Sequence, residues 1–235
     1  MVVLVVTMTA AACSRGGPAM NLPSVAREVG PAMTRIVAEK DDKDEDTMVK
    51  TEGSGMVLTP SGEVLTNAHV VERGFAITAA VPGSATPHPV AILGMDLAAD
   101  VALVRVLGAS GLPTVRVAGS PQVPVGEEVA AVGYPQGRTS LSVARGRVVG
   151  QGRTVVVSGE NGLQGLHGVL QIDAPVAPGD SGSALADSSG QVVGMITAGV
   201  RGQAGYALPI RTVMGVVDRI RSGRGGRDIV LGLQP

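Results

Sequence analysis

Between Gly53 and Val106 the chain uses one device repeatedly: a short run rich in Val, Ile, Leu and Ala, closed by turn residues. The runs are "GSGMVLTP", "GEVLTNAHVV", "FAITAAVP", "HPVAILGMD" and "DVALVRV". Segments this short, β-branched and bounded by Gly, Pro or Asn, form strands rather than helices. A Pro/Gly-rich bridge, "LGASGLPTVRVAGSPQVPVG", precedes a second set: "EEVAAVGYP", "SVARGRVVGQ", "TVVVSG", "VLQIDAP", "SGSALAD", "GQVVGMITAGV" and "GYALPI". With 34 Gly and 15 Pro in 235 residues, turn chemistry is plentiful. The fold class is therefore all-β. The two sets predict two small barrels, at about residues 34–108 and 124–210.

Flanking segments depart from this pattern. "SVAREVGPAM", with Ser24 as N-cap and a Gly-Pro stop, predicts a short helix before a strand at "TRIVAE". "KDDKDEDTMVKTE" reads as a solvated loop, and no Gly follows its acids at the sixth position a calcium loop requires. "RTVMGVVDRI" puts Val213, Val217 and Ile220 on one helical face with Met214 beside them, predicting a closing helix on the second half. No fixed repeat period points to a solenoid or propeller.

Composition removes several functions. One Phe, two Tyr, no Trp and a net charge of −1 argue against nucleic acid, which is read by stacking aromatics on a basic face. Three dispersed histidines and one cysteine give no metal-site spacing, and no cofactor motif is expected. The lone cysteine, Cys13, excludes an internal disulfide. It ends an apolar run, "MVVLVVTMTAAACS", that is shorter than the ~20 residues a bilayer requires. The run reads as an export signal. "TAAACS" resembles a bacterial lipoprotein signal, which implies lipidation and membrane anchoring at Cys13, with residues 1–23 as signal and linker. A buried first strand with a free thiol is the alternative.

Three segments carry the chemistry: "LTNAHVV" with His69, "DLAADVALVRV" with Asp100, and "APVAPGDSGSAL" with Ser181. Acyl transfer needs a hydroxyl to attack, an imidazole to take its proton, and a carboxylate to hold the imidazole. The glycine before Asp180 fits a tight turn that would aim the N–H groups of Gly179 and Ser181 at a developing oxyanion. His88 and His167 read as exposed loop residues.

Together with "VAREVGPAMTRIV", "GSGMVLTPSGEVLTNAHVV", "EEVAAVGYPQG" and "GYALPI", these segments resemble the trypsin-fold serine proteases, in particular the HtrA/Deg-like branch, over about residues 24–221. The resemblance implies two six-stranded antiparallel barrels with the site in the cleft between them. It implies His69, Asp100 and Ser181 as catalytic triad, with Asp100 rather than Asp96 as the carboxylate, and Gly179, Asp180 and Ser181 as oxyanion hole. Asp180 stands where HtrA-like members commonly carry Asn, and Ser183 and Ala184 replace their Gly and Pro. "RIV" at Arg35 is similar to a zymogen activation site, but Arg35 lies in a predicted strand, so no cleavage is expected there.

The resemblance further implies a pocket floor at Pro175, six residues before the serine, and an opposite wall at Thr197, Ala198 and Gly199. No carboxylate is expected in that pocket, so small aliphatic residues should be preferred over Lys or Arg. The tail 222–235 looks like the beginning of a peptide-binding PDZ module, after which the chain stops. The implied activity is that of an exported serine endopeptidase acting on unfolded or damaged proteins. The alternative is a pseudo-protease or scaffold that binds peptides without cleaving them.

Overall fold

The computed structural model describes residues 20–41, 47–119, 122–159, 162–200, 204–224 and 229–231. Cys13 and its apolar run lie outside the described residues.

The first barrel comprises β1 (Met33–Asp41), β2 (Met48–Val57), β3 (Glu63–Thr66), β4 (Ala76–Ala80), β5 (His88–Asp96) and β6 (Val101–Val106). The ladder runs β5-β4-β1-β2-β3-β6 and closes through β5–β6 pairing. On β1 the pleat turns Thr34, Ile36, Ala38 and Lys40 inward, while Arg35, Val37 and Glu39 are half-exposed. Ile36 and Ala38 pack with Val57, Val64, Ile77 and Val104 in an aliphatic core. The single Phe, Phe75, is 55% exposed, so the core rests on many aliphatic side chains, each stabilising by roughly 1.5–3 kcal/mol when buried.

The second barrel follows the bridge, within which β7 (Arg116–Val117) pairs in parallel with a later strand. Its members are β8 (Glu128–Gly133), β9 (Ser142–Gly159), β10 (Gly162–Ile172), β11 (Ala184–Ala186), β12 (Gln191–Val200) and β13 (Ala204–Pro209). They are ordered β11-β8-β9-β10-β13-β12, and β11–β12 pairing closes the ring. The double barrel expected from the sequence is thus present.

Several local expectations are corrected. The first helix, α1 (Leu22–Val29), is capped by Asn21, whose side chain accepts the Ser24 N–H, and not by Ser24. Pro23 fits the first turn because its missing N–H has no helical partner there. The two ends of the charged stretch are strand, since β1 and β2 pair as far as Asp41↔Met48, and its centre, 42–46, lies outside the described residues. "SVARGRVVGQ" and "TVVVSG" are one strand, β9, because its ladder with β10 continues across Gly150 and Gly152 through register shifts. His88 and His167 lie on β5 and β10 rather than in loops. In the tail, β14 (Ile229–Leu231) adds to β5.

The closing helix, α3 (Ile210–Arg221), buries Ile210, Val213, Val216, Val217 and Ile220. It packs on both halves, against β12 and β13 and also β5 and β6, rather than on the second alone. Its basic last turn explains this. Arg219 meets Asp96 of β5 at 2.8 Å and Arg221 meets Glu63 of β3 at 2.6 Å.

Candidate active site

His69 sits on α2 (Ala68–Val71), a single turn whose Ala68, Val70 and Val71 are buried while the imidazole is half-exposed. Glycine at 53 makes room for this turn: a Cβ there would lie 2.7 Å from Val70 Cγ2. Lys40, inward-facing at the barrel end, donates from Nζ to the His69 carbonyl at 2.8 Å.

Asp100 precedes β6 in a left-handed conformation (φ 54°), which Asp tolerates better than most residues. Its carbonyl is fixed by Asn67 Nδ2 at 2.9 Å, a use of the Asn67 side chain that leaves α2 without a side-chain cap. His69 Nδ1 lies 2.9 and 3.0 Å from the two Asp100 carboxylate oxygens. The His69 backbone N–H donates to Oδ1 at 3.1 Å, and Thr197 Oγ1 donates to Oδ2. An ionised carboxylate only accepts, so His69 Nδ1 carries the proton and Nε2 is left as the basic nitrogen. Asp96, the competing carboxylate, is instead engaged by Arg219 and by the Ala99 N–H.

Ser181 lies in the turn between β10 and β11. Its hydroxyl donates to the Thr197 carbonyl at 3.4 Å, a long bond, and not to His69. Around it each carbonyl from Pro178 to Ser181 is engaged. Gln136 N–H donates to Pro178 O at 2.6 Å, Ser54 Oγ to Gly179 O at 3.2 Å, Ser183 N–H to Asp180 O at 2.8 Å, and Ser54 N–H to Ser181 O at 2.7 Å. In a trans peptide the N–H points opposite its own carbonyl. Pinning Pro178 O and Asp180 O therefore aims the Gly179 and Ser181 N–H groups the other way, and neither has a partner among the described residues. The Asp180 N–H, expected to join them, donates to Ala177 O at 3.0 Å and is not free to bind an oxyanion.

Asp180 itself is buried, with the Ala177 N–H donating to Oδ2 at 2.8 Å. Burial pushes its carboxyl above the ordinary 3.8, and the Ala177 bond offsets this only in part.

The expected substrate pocket is altered. Val176 packs against the backbone of β12 and β13: a Cβ on Gly199 would lie 2.9 Å from Val176 Cγ1, and one on Gly205 2.5 Å from Val176 Cγ2. Thr197 is buried and turned to Asp100. Pro175 instead borders a pocket of about 210 Å³ on its other side, with Val176, Ala177, Ala131, Ala144, Arg138 and Asp180. Asp180 is the carboxylate of that space. Val176, rather than Pro175, is the side chain that packs against Gly199 and Gly205, a contact that sequence reasoning missed and that its place next to Pro175 could have signalled. Gln136 and Ser54 were missed altogether.

Arg35 sits within β1, paired with Ser54 and Ala80 and bonded to Glu52 at 3.3 Å, which leaves no exposed activation site there.

Residues 53–195 match the family model described as a trypsin-like peptidase domain. Serine protease PepD of Mycobacterium tuberculosis is 31% identical over 251 residues, covering 96% of this chain and 53% of that protein. Serine protease Do-like HtrB of Bacillus subtilis is 31% identical over 190 residues, covering 77% and 41%. The chain thus spans about half the length of such relatives, or less. Among solved structures, the active form of the Rv3671c protease from M. tuberculosis superposes with a TM-score of 0.72 at 27% identity, covering 87% of both chains. An HtrA-type protease, AlgW, bound to a decapeptide gives a TM-score of 0.75 at 22% identity, covering 87% of this chain and 68% of that one.

Proposed function

The chain belongs to the trypsin-like peptidase domain family, and we propose that it is a serine endopeptidase whose triad is His69, Asp100 and Ser181. The observation that carries this reading is the Asp100–His69 pair at 2.9 Å, beside a serine turn with two unengaged N–H groups. In the reaction, Ser181 Oγ leaves the Thr197 carbonyl and attacks the scissile carbon. His69 Nε2 takes its proton, and the oxyanion is bound by the Gly179 and Ser181 N–H groups. Collapse of the tetrahedral intermediate breaks the C–N bond, His69 protonates the leaving amine, and water repeats the sequence on the acyl-enzyme. Asp100 remains ionised throughout and stabilises the imidazolium.

Substrates on this reading are unfolded or peptide chains. The packing of Val176 against Gly199 and Gly205 supports a shallow pocket that accepts small aliphatic residues such as Val or Ala. Discrimination should be modest, since one methylene is worth only ~1–3 kcal/mol. Export is supported by the apolar run ending at Cys13 and by relatives such as the DegP-like periplasmic endoprotease of Chlamydia pneumoniae, 30% identical over 190 residues. Anchoring through lipidated Cys13 is the form of export that run favours. Replacement of Cys13 by Ala should then release the protein from membranes.

The test of catalysis is labelling with a fluorophosphonate and cleavage of casein, each compared with Ser181→Ala. Loss of a catalytic serine lowers kcat by ~10⁶ in the subtilisin series, so the variant should be silent in both. The second reading, a peptide-binding pseudo-protease, is favoured by one observation, the Ser181 hydroxyl on Thr197 O. Wild-type protein that neither labels nor cleaves would establish it.

A further inference from the structure

We propose that Ser54 of β2 is a positioning residue for the oxyanion hole, its hydroxyl holding the Gly179 peptide in register with Ser181. The proposal rests on the endopeptidase reading above and adds to it a residue outside the triad and the serine turn.

Ser54 is fully buried and all its polar atoms are engaged. Its N–H donates to Ser181 O at 2.7 Å and its carbonyl accepts Thr66 Oγ1 at 2.8 Å. Its hydroxyl accepts the Tyr134 N–H at 2.9 Å and donates to Gly179 O at 3.2 Å. A side chain of the first barrel thus connects the exit of β8 to the serine turn, two pieces of the second barrel. With Tyr134 N–H occupying the acceptor side, the hydroxyl hydrogen has one direction left, toward Gly179 O. Gly179 needs this restraint because its own conformation (φ 91°) is open to glycine alone, and glycine otherwise moves most freely. The Gly179–Asp180 peptide that this bond holds lies between the two peptides that carry the Gly179 and Ser181 N–H groups, so its rotation would turn those two donors relative to one another.

The surroundings are built around this serine. A Cβ at Gly133 would lie 2.8 Å from Ser54 Oγ, and one at Gly182 2.0 Å from Ser54 O. Both neighbours are the only residue type that leaves room. The backbone bonds of Ser54 would survive Ser54→Ala, so that variant removes the hydroxyl link and little else.

The experiment uses the full chain as wild type, Ser54→Ala and Ser181→Ala. Peptide cleavage is resolved into kcat and KM, and a peptide boronic acid, whose tetrahedral adduct places an oxygen in the oxyanion hole, is titrated as inhibitor. For Ser54→Ala the expected result is kcat lower by roughly 10- to 100-fold, less than the 10²–10³ lost when an oxyanion donor itself is removed. KM should stay near wild type, the thermal midpoint should fall by roughly 2–12 °C because the Tyr134 N–H and Gly179 O both lose a partner, and boronate affinity should fall in parallel with kcat/KM at a temperature where the variant is fully folded. Full kcat and full boronate affinity in Ser54→Ala would overturn the proposal. So would a loss of boronate affinity and activity that disappears when both are measured well below the variant's midpoint, which would make Ser54 a folding residue only. Failure of the endopeptidase reading gives a different pattern: wild type itself would be as inactive as Ser181→Ala.

Discussion

Gly182 is where the structure makes its sharpest demand on sequence. Its φ is +84°, and a Cβ there would sit 2.0 Å from Ser54 O, whereas real Cβ contacts essentially never fall under 3.0 Å. Gly182→Ala must therefore push the serine turn and β2 apart by about 1 Å, and the obstacle is backbone, which no rotamer change relieves. That shift breaks the Ser54 N–H bond to Ser181 O and strains the Gly182 N–H bond to Ile196 O. The left-handed strain is worth ~1–2 kcal/mol and each lost bond ~0.5–1.5, for a total of roughly 2–5 kcal/mol. In a chain of this size each kcal/mol moves the midpoint by ~2–4 °C, so a fall of roughly 5–15 °C is expected. Gly152→Ala is the control: its φ is +62° but nothing lies within 4 Å, so it carries the strain without the clash. It should lose only ~2–8 °C, the strain alone. Calorimetry of both variants gives the difference, and fluorophosphonate labelling of Ser181 reports whether the turn has moved. A Gly182→Ala protein as stable as Gly152→Ala and labelled at the wild-type rate would refute the clash argument.

Thr197→Val removes the hydroxyl donor to Asp100 at nearly constant shape, and kcat should fall roughly 10-fold or more with KM unchanged, measured by steady-state peptide cleavage. Asp180→Asn should change how stability depends on pH. Because the folded carboxyl is raised above 3.8, its contribution is present below that value and is lost as pH rises through the folded value. The Asn variant, which still accepts the Ala177 N–H, should therefore gain on wild type toward neutrality and lose that advantage in acid, as read by urea unfolding at several pH values. Arg219→Ala should destabilise by about 1 kcal/mol by stripping the partner from buried Asp96, and the half-exposed Arg makes the difference shrink in ~1 M salt, as read by salt-dependent unfolding.

What the sequence made legible is local. "LTNAHVV" and "DLAADVALVRV" carry His69 and Asp100 within short segments, and the strand pattern survives because alternation is set by nearest neighbours. The rest depends on contacts made at long range. Ser54 looks like an ordinary residue of a Gly-Ser-Gly strand until the fold brings it to Gly179, 125 positions away. The double docking of α3 follows from Arg219 reaching Asp96, 123 positions away. Ser24 and Asn21 are equally good caps by type; Pro23, which suits a first turn, decides between them. The break expected at Gly152 and Arg153 in β9 failed for a related reason, since β10 supplies partners that carry the ladder past a glycine, a poor strand former.

The two barrels contribute unequal things to the site. The first holds the proposed acid–base pair through short-range geometry: α2 and the residue before β6 are adjacent, and Asp100 accepts from both the ring and the backbone of His69. The second carries the serine turn, but two of that turn's carbonyls are held by Ser54 of the first barrel, at 2.7 and 3.2 Å. Thr197 of β12 reaches the other way, to Asp100. The site is therefore tied across the cleft at both ends. Chemistry that depends on an oxyanion hole formed before substrate arrives is favoured by such cross-ties, because donors already aimed need no reorganisation when charge develops. Placing those ties between barrels makes barrel docking, rather than the folding of either barrel alone, the event that completes the site.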